Sequence, residues 1–131
     1  MAGVCYVLDC EALSRAVLGE PRMKAQLKDA HRAGVRVVTS SMTLIEAYHG
    51  KVRRSEWNWV MSRIVVEPVT KDVADEAIGS LSETGLHGHK YAIDAALAVI
   101  AGRQRGRVAV LTSDEDDMRK LCRPEVQVRA L

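Results

Sequence analysis

Short apolar runs alternate along the chain with stretches in which apolar residues recur every three or four positions. Val4 to Leu8 is such a run, bounded by Gly3 and Asp9. It shows no polar alternation and reads as a first, central strand buried on both faces. Ala12, Leu13, Ala16 and Val17 follow at helical spacing until Gly19. Pro21, a favoured first helical residue, opens a second helix with Met23, Leu27, Ala30 and Ala33 on one side and Gly34 as its stop. Val35, Val37 and Val38 make the second strand. Thr39, Ser40, Ser41 and Thr43 offer hydroxyls for a helix start, and Thr43 with Glu46 matches a capping box, which places Glu46 in the first turn of a helix running toward Gly50. A basic turn, Lys51 to Arg54, leads into another helix at Ser55, and Ile64 to Val66 is the third strand.

Thr70 caps a helix bearing Val73, Ala74, Ala77, Ile78 and Leu81, which ends at Gly85. A polar loop, Leu86 to His89, precedes a small-residue helix from Tyr91 with Asp94 in its first turn. Arg103 to Arg107 connects it to a buried strand, Val108 to Thr112, which runs into the acidic turn Ser113 to Asp117. Val126 to Val128 is a short last strand. Strands that alternate with helices almost throughout predict an α/β fold with a mostly parallel sheet of about five strands.

The 131 residues fit one domain, residues 1–131, large enough to bury a core, and 47% hydrophobic with 27% charged residues excludes a disordered chain. Lys and Arg outnumber Asp and Glu by only 19 to 17, so overall charge announces no nucleic acid, although local patches still can. Cys5, Cys10 and Cys122 lack the paired spacing of a zinc site, which predicts a reduced, cytoplasmic protein. Met1 to Leu8 has no basic leader region, and no segment is long and apolar enough to span a bilayer.

In a parallel sheet the carboxyl ends of strands and the amino ends of the following helices share one edge, where ligands usually bind. Asp9, Glu46, Asp94 and Asp114 all fall on that edge by this reading. Helix amino ends favour an anion by about 0.3–1 kcal/mol. Two carboxylates roughly 5 Å apart repel by about 3 kcal/mol at an effective dielectric near ~20. Several together call for a cation or a shared proton. An all-oxygen set suits Mg²⁺ or Mn²⁺, and such a metal polarises a phosphoryl oxygen or activates a bound water, so phosphodiester hydrolysis is the leading chemistry.

Each acid also has a purely structural reading. Asp9 could cap the next helix, Glu46 could close its capping box, Asp94 could pair with Lys90, and Asp114 with Asp117 could serve a helix start. Glu115 and Asp116 are assigned to solvent. His87 and His89, in a loop without further ligands, are read as surface residues. Trp57 and Trp59 lie two apart, so one is expected in the core and the other is open to a partner or an RNA base. Lys51, Arg53, Arg54, Arg103, Arg105 and Arg107 are candidate phosphate contacts or solvated turns. Aromatic residues make up 4% of the chain, which argues against a base-stacking platform.

The ordered set VLDCEAL, TLIEAYHG, YAIDAALAVIAG and VAVLTSDEDDMRKL resembles the PIN domain over essentially the whole chain, and most closely the VapC-type ribonuclease toxins of toxin-antitoxin pairs. The resemblance implies a three-layer α/β/α sandwich with Asp9, Glu46, Asp94 and Asp114 around Mg²⁺ or Mn²⁺. Asp117 matches an additional acid, and the hydroxyls of Thr112 or Ser113 would stand behind the ligands. It further implies a homodimeric, metal-dependent endoribonuclease acting on RNA and silenced by a cognate antitoxin. Glu11 departs from the small or hydroxyl residue frequent near the first Asp. The expectation is therefore a Mg²⁺-dependent endoribonuclease toxin. A nuclease acting on DNA or in RNA processing, and a metal-free interaction domain with an acidic groove, are its competitors.

Overall fold

Val4–Leu8 (β1) sits at the centre of the sheet because its side chains are apolar in both directions: Cys5, Val7 and Leu8 are fully buried. The computed structural model describes residues 3–131. Met1 and Ala2, the start of the segment read as lacking a basic leader region, lie outside them. After β1 come α1 (Cys10–Val17), α2 (Pro21–Arg32), β2 (Arg36–Ser40), α3 (Ser41–Ala47), α4 (Arg54–Met61) and β3 (Val65–Glu67). The second half adds α5 (Lys71–Thr84), α6 (Gly88–Gly102), β4 (Arg107–Thr112), α7 (Glu115–Leu121) and β5 (Gln127–Ala130). The five strands lie in the order β3-β2-β1-β4-β5, and all four pairings are parallel. The expected α/β/α sandwich is what the chain forms.

The side chains of β1 divide between two cores. Cys5 and Val7 join Val38, Val108 and Val110 under α5, α6 and α7, while Leu8 joins Val37 and Leu111 under α1, α2, α3 and α4. Seven consecutive buried residues, Ala95 to Ala101, occupy the body of α6. Small side chains let this helix approach both the sheet and its helical neighbours closely.

Two local readings are corrected. Thr39 and Ser40 extend β2, and Ser40, rather than a hydroxyl further on, caps α3: its Oγ accepts from Thr43 N at 3.0 Å. Thr43 is buried inside the helix with its Oγ1 2.7 Å from Ser40 Oγ, so the Thr43–Glu46 capping box does not form. In the other case, α6 starts at Gly88, inside the expected polar loop. The long apolar body of the helix carries its first turn back through His89 and Lys90, in line with the cooperative growth of helices. Thr70 and Gly85 bound α5 as expected: Thr70 Oγ1 accepts from Val73 N, and Gly85 takes a left-handed φ of 72°.

Candidate functional site

Strand order reverses between β1 and β4, so their carboxyl ends flank the crevice where open parallel sheets bind ligands. Asp9 follows β1 directly. It is 4% exposed and caps α1, with Oδ1 accepting from Ala12 N at 2.8 Å. Its Oδ2 accepts from Ser113 N at 3.0 Å, which ties the β1 end to the turn after β4. Each oxygen keeps a further lone pair. The cap and the site are therefore the same carboxylate.

Asp114 stands at the start of α7 with no capping hydrogen bond from its side chain, and its backbone N donates to Thr112 Oγ1 at 2.9 Å. Thr112, fully buried, thus fixes the turn through its hydroxyl. Ser113 is exposed and acts instead through its backbone N–H. Burial first, then the charge of Asp117, pushes Asp114 above the ordinary carboxylate range. Asp117 is pushed below it, chiefly by a hydrogen bond from Tyr91, and lies 3.7 Å from Lys120.

Asp94 lies in the second turn of α6, not the first, because the helix begins at Gly88. Its carboxyl is pushed up to about 6 by burial, and after that by the negative charges of Asp9, Glu46, Asp114 and Asp117. All five acids therefore act on a common region. Glu46 reaches it from the last turn of α3 rather than the first, since the helix starts at Ser41. The Cys10 thiol records its position: it is pushed up to about 12 by burial, followed by a hydrogen bond to Glu46 and the charges of Glu46, Asp9 and Glu11. Glu11 itself turns outward to Arg15, 3.2 Å away.

Oxygen donors alone suit a hard divalent cation, and a carboxyl raised by burial and by four like charges is relieved by one. In the chemistry of their donors the acids suit such an ion. Among the described residues, however, no three Asp, Glu, His or Cys side chains stand close enough together to enclose an ion. The ligands would have to draw inward on binding.

The other candidates spread widely. Lys51 and Arg53 are exposed between α3 and α4 and Arg54 is the exposed first residue of α4, with Arg53 3.9 Å from Glu56. Arg103 is committed to α5, at 2.7 Å from Asp72 and 3.2 Å from Glu76. Arg103 and Arg105 precede β4 and Arg107 is its first residue, so all three lie at the amino edge, opposite the acids. Trp57 meets Tyr48 edge-on at 4.9 Å, and Trp59 is ringed by Lys24, Lys28 and Arg63; both are half-buried. His87 and His89 are exposed, as expected. Two features escaped the sequence reading. Tyr91 holds Asp117, and Ser113 N holds Asp9 across 104 positions, a contact for which the sequence carries no signal.

Fold and rim together define an α/β/α protein with an acidic carboxyl edge at its switch point. The chain belongs to the PIN domain family, a family of nucleases, whose model matches residues 6–124. Among solved structures it is similar to VapBC2 from Rickettsia felis bound to a DNA fragment from its promoter, with a TM-score of 0.67 and 14% identity over 97% of this chain and 98% of that one. At this identity the likeness is one of fold. No curated protein matches the chain. No helix of the described residues is long and apolar enough to cross a membrane.

Proposed function

We propose that the protein is a cytoplasmic, metal-dependent endoribonuclease toxin of a toxin-antitoxin pair. The observation that carries the reading is the carboxyl of Asp94, raised by burial and by four converging acids beside the switch point of a PIN fold. Asp9, Glu46, Asp94 and Asp114, with Asp117 at the margin, would hold Mg²⁺ or Mn²⁺. Once bound, the ion would polarise a phosphoryl oxygen and acidify a water. The chain's own contribution is positional: Ala12 N and Ser113 N fix the Asp9 carboxylate, and Thr112 Oγ1 fixes the backbone of Asp114. A hydrogen bond from Tyr91 holds the Asp117 carboxyl further below its ordinary range. Lys51, Arg53 and Arg54 are the exposed cations proposed to meet RNA phosphates.

The likeness to a VapBC complex supports an antitoxin as partner, and a basic antitoxin segment would complement the rim. A homodimer is supported by an apolar recess of about 240 Å³ lined by Met42, Val69, Ala77, Ile78, Leu81 and Ile93. Ile45, 71% exposed, and Ile78, 64% exposed, stand out on the helices that carry this surface.

Incubating the protein with transfer RNA, ribosomal RNA and single-stranded DNA, with Mg²⁺, Mn²⁺ or EDTA, tests the proposal. Metal-dependent RNA fragments that vanish in Asp94→Asn are expected. Cleavage of DNA instead would move the reading to a DNA nuclease. A second reading, a metal-free acidic docking surface, draws on the two backbone hydrogen bonds that already occupy Asp9. It requires that Mn²⁺ produce no thermal shift and that no nucleic acid be cut.

A further inference from the structure

The rim poses an electrostatic problem for an RNA-binding protein. Four further carboxylates act electrostatically on Asp94 where the phosphate chemistry is proposed, and the whole chain has a net charge of only +2. Affinity for a polyanion must come from cations held away from the acids.

The topology supplies such a group at the opposite edge of the sheet. Arg36 is the first residue of β2, and Arg107 is the first residue of β4. Their strands flank β1, where Cys5 is in register with Arg36 and Val4 with Arg107. Two strand spacings of about 4.8 Å therefore separate their backbones. The Arg36 guanidinium spans this gap, its Nη2 donating to the Arg105 carbonyl at 3.3 Å. Arg36 is thus brought across 69 positions to Arg105, two residues before Arg107, and all three are exposed at the start of the central strand.

Their lack of a carboxylate partner sets them apart from Arg103. That residue caps α6 and spends its charge on Asp72 and Glu76. Among the described residues no carboxylate lies within 4.0 Å of Arg36, Arg105 or Arg107. Helix dipoles attract cations to helix carboxyl ends, and the end of α6 can account for one arginine in this way. Arg36 and Arg107 are strand residues, and no dipole rewards them.

We propose that Arg36, Arg105 and Arg107 form an RNA phosphate-backbone contact at the amino edge, remote from the acidic rim. The inference rests on the ribonuclease reading and assigns it an extended substrate. Six residues of β4, rising about 3.3 Å each, put this edge ~17 Å from the acids, so a folded or long RNA reaches both and a very short one does not. The three arginines anchor the backbone without reading sequence, and the rim performs the chemistry.

The test is fluorescence anisotropy of labelled transfer RNA in EDTA, between 50 and 200 mM salt, with the combined variant Arg36→Gln, Arg105→Gln, Arg107→Gln. Each lost phosphate contact removes roughly 0.7 from the salt slope, so the triple variant should bind on the order of 10- to 100-fold more weakly and its slope should fall by about 2. A control that removes the same charge elsewhere, Arg22→Gln, Lys28→Gln, Lys71→Gln, should lose much less. Metal-dependent cleavage of a short oligoribonucleotide should survive in the arginine variant. Should that variant fold poorly, Arg105→Gln alone, at an exposed turn, should show about a third of the slope change. Wild-type cleavage of RNA with unchanged affinity and slope in the arginine variant would overturn this inference and leave the nuclease reading intact. Wild-type protein that neither binds nor cleaves RNA would overturn both. A loss confined to duplex DNA would replace RNA as the partner and overturn the assignment.

Discussion

The two edges of the sheet carry opposite charges and hold them in different ways. At the carboxyl edge Asp9 is 4% exposed and bound by two backbone N–H groups, and Asp94 is raised to about 6 by burial and then by its acidic neighbours. At the amino edge the arginines are exposed, and one of them, Arg103, is neutralised by α5. Structure has been organised around the acids at an electrostatic cost, whereas the arginines cost the fold little. Groups held against their own repulsion mark where chemistry is done, and loosely held cations mark where a large anion lies.

Substitutions can break this contrast, beginning with the strongest. Asp94→Asn should lower RNA cleavage by on the order of 10²–10³-fold or more while leaving transfer RNA affinity in EDTA close to wild type, as gel assays and anisotropy would show. Asp9→Ala should cost roughly 2–3 kcal/mol in urea unfolding, because Ala12 N loses its cap and Ser113 N loses its acceptor. Asp9→Asn retains an acceptor for Ala12 and should cost less.

Protonation sharpens the comparison further. The folded carboxyl of Asp94 titrates near 6 against an ordinary 3.8, so the stability linked to it is complete below pH 3.8 and is lost as pH rises through 6. Metal-free Asp94→Asn should therefore be more stable than wild type at pH 7, by roughly 1–2 kcal/mol once solvent screening is allowed for, and the gap should close near pH 4. Melting curves in EDTA at the two pH values measure it. Smallest of all, Arg103→Gln should leave the urea midpoint close to wild type, since its partners are surface carboxylates. A larger loss would mean that the amino edge is structural after all.

Much of this was legible in the residues. The unbroken apolar run of β1 placed it centrally, Thr70 and Gly85 bounded α5, and the order of strand-terminal acids pointed to the carboxyl edge. The turn positions of Glu46 and Asp94 were less legible. Hydroxyls at residues 39, 40, 41 and 43 gave several equivalent caps for α3, and the extension of β2 through Ser40 decided among them. The start of α6 was hidden by a polar first turn whose helicity derives from the apolar body behind it.

By itself the sequence determined the alternation of elements, the fold class and the positions of Asp9 and Asp114 at strand ends, because period and capping are local properties of a chain. Tertiary structure alone decided which groups meet: Ser113 N on Asp9, Tyr91 on Asp117, Glu46 beside Cys10, and Arg36 crossing to Arg105. It also separated Arg103 from its neighbours. These outcomes depend on strand order and register, and both are set by how two cores close on opposite faces of the sheet, a condition that no local stretch of the chain contains.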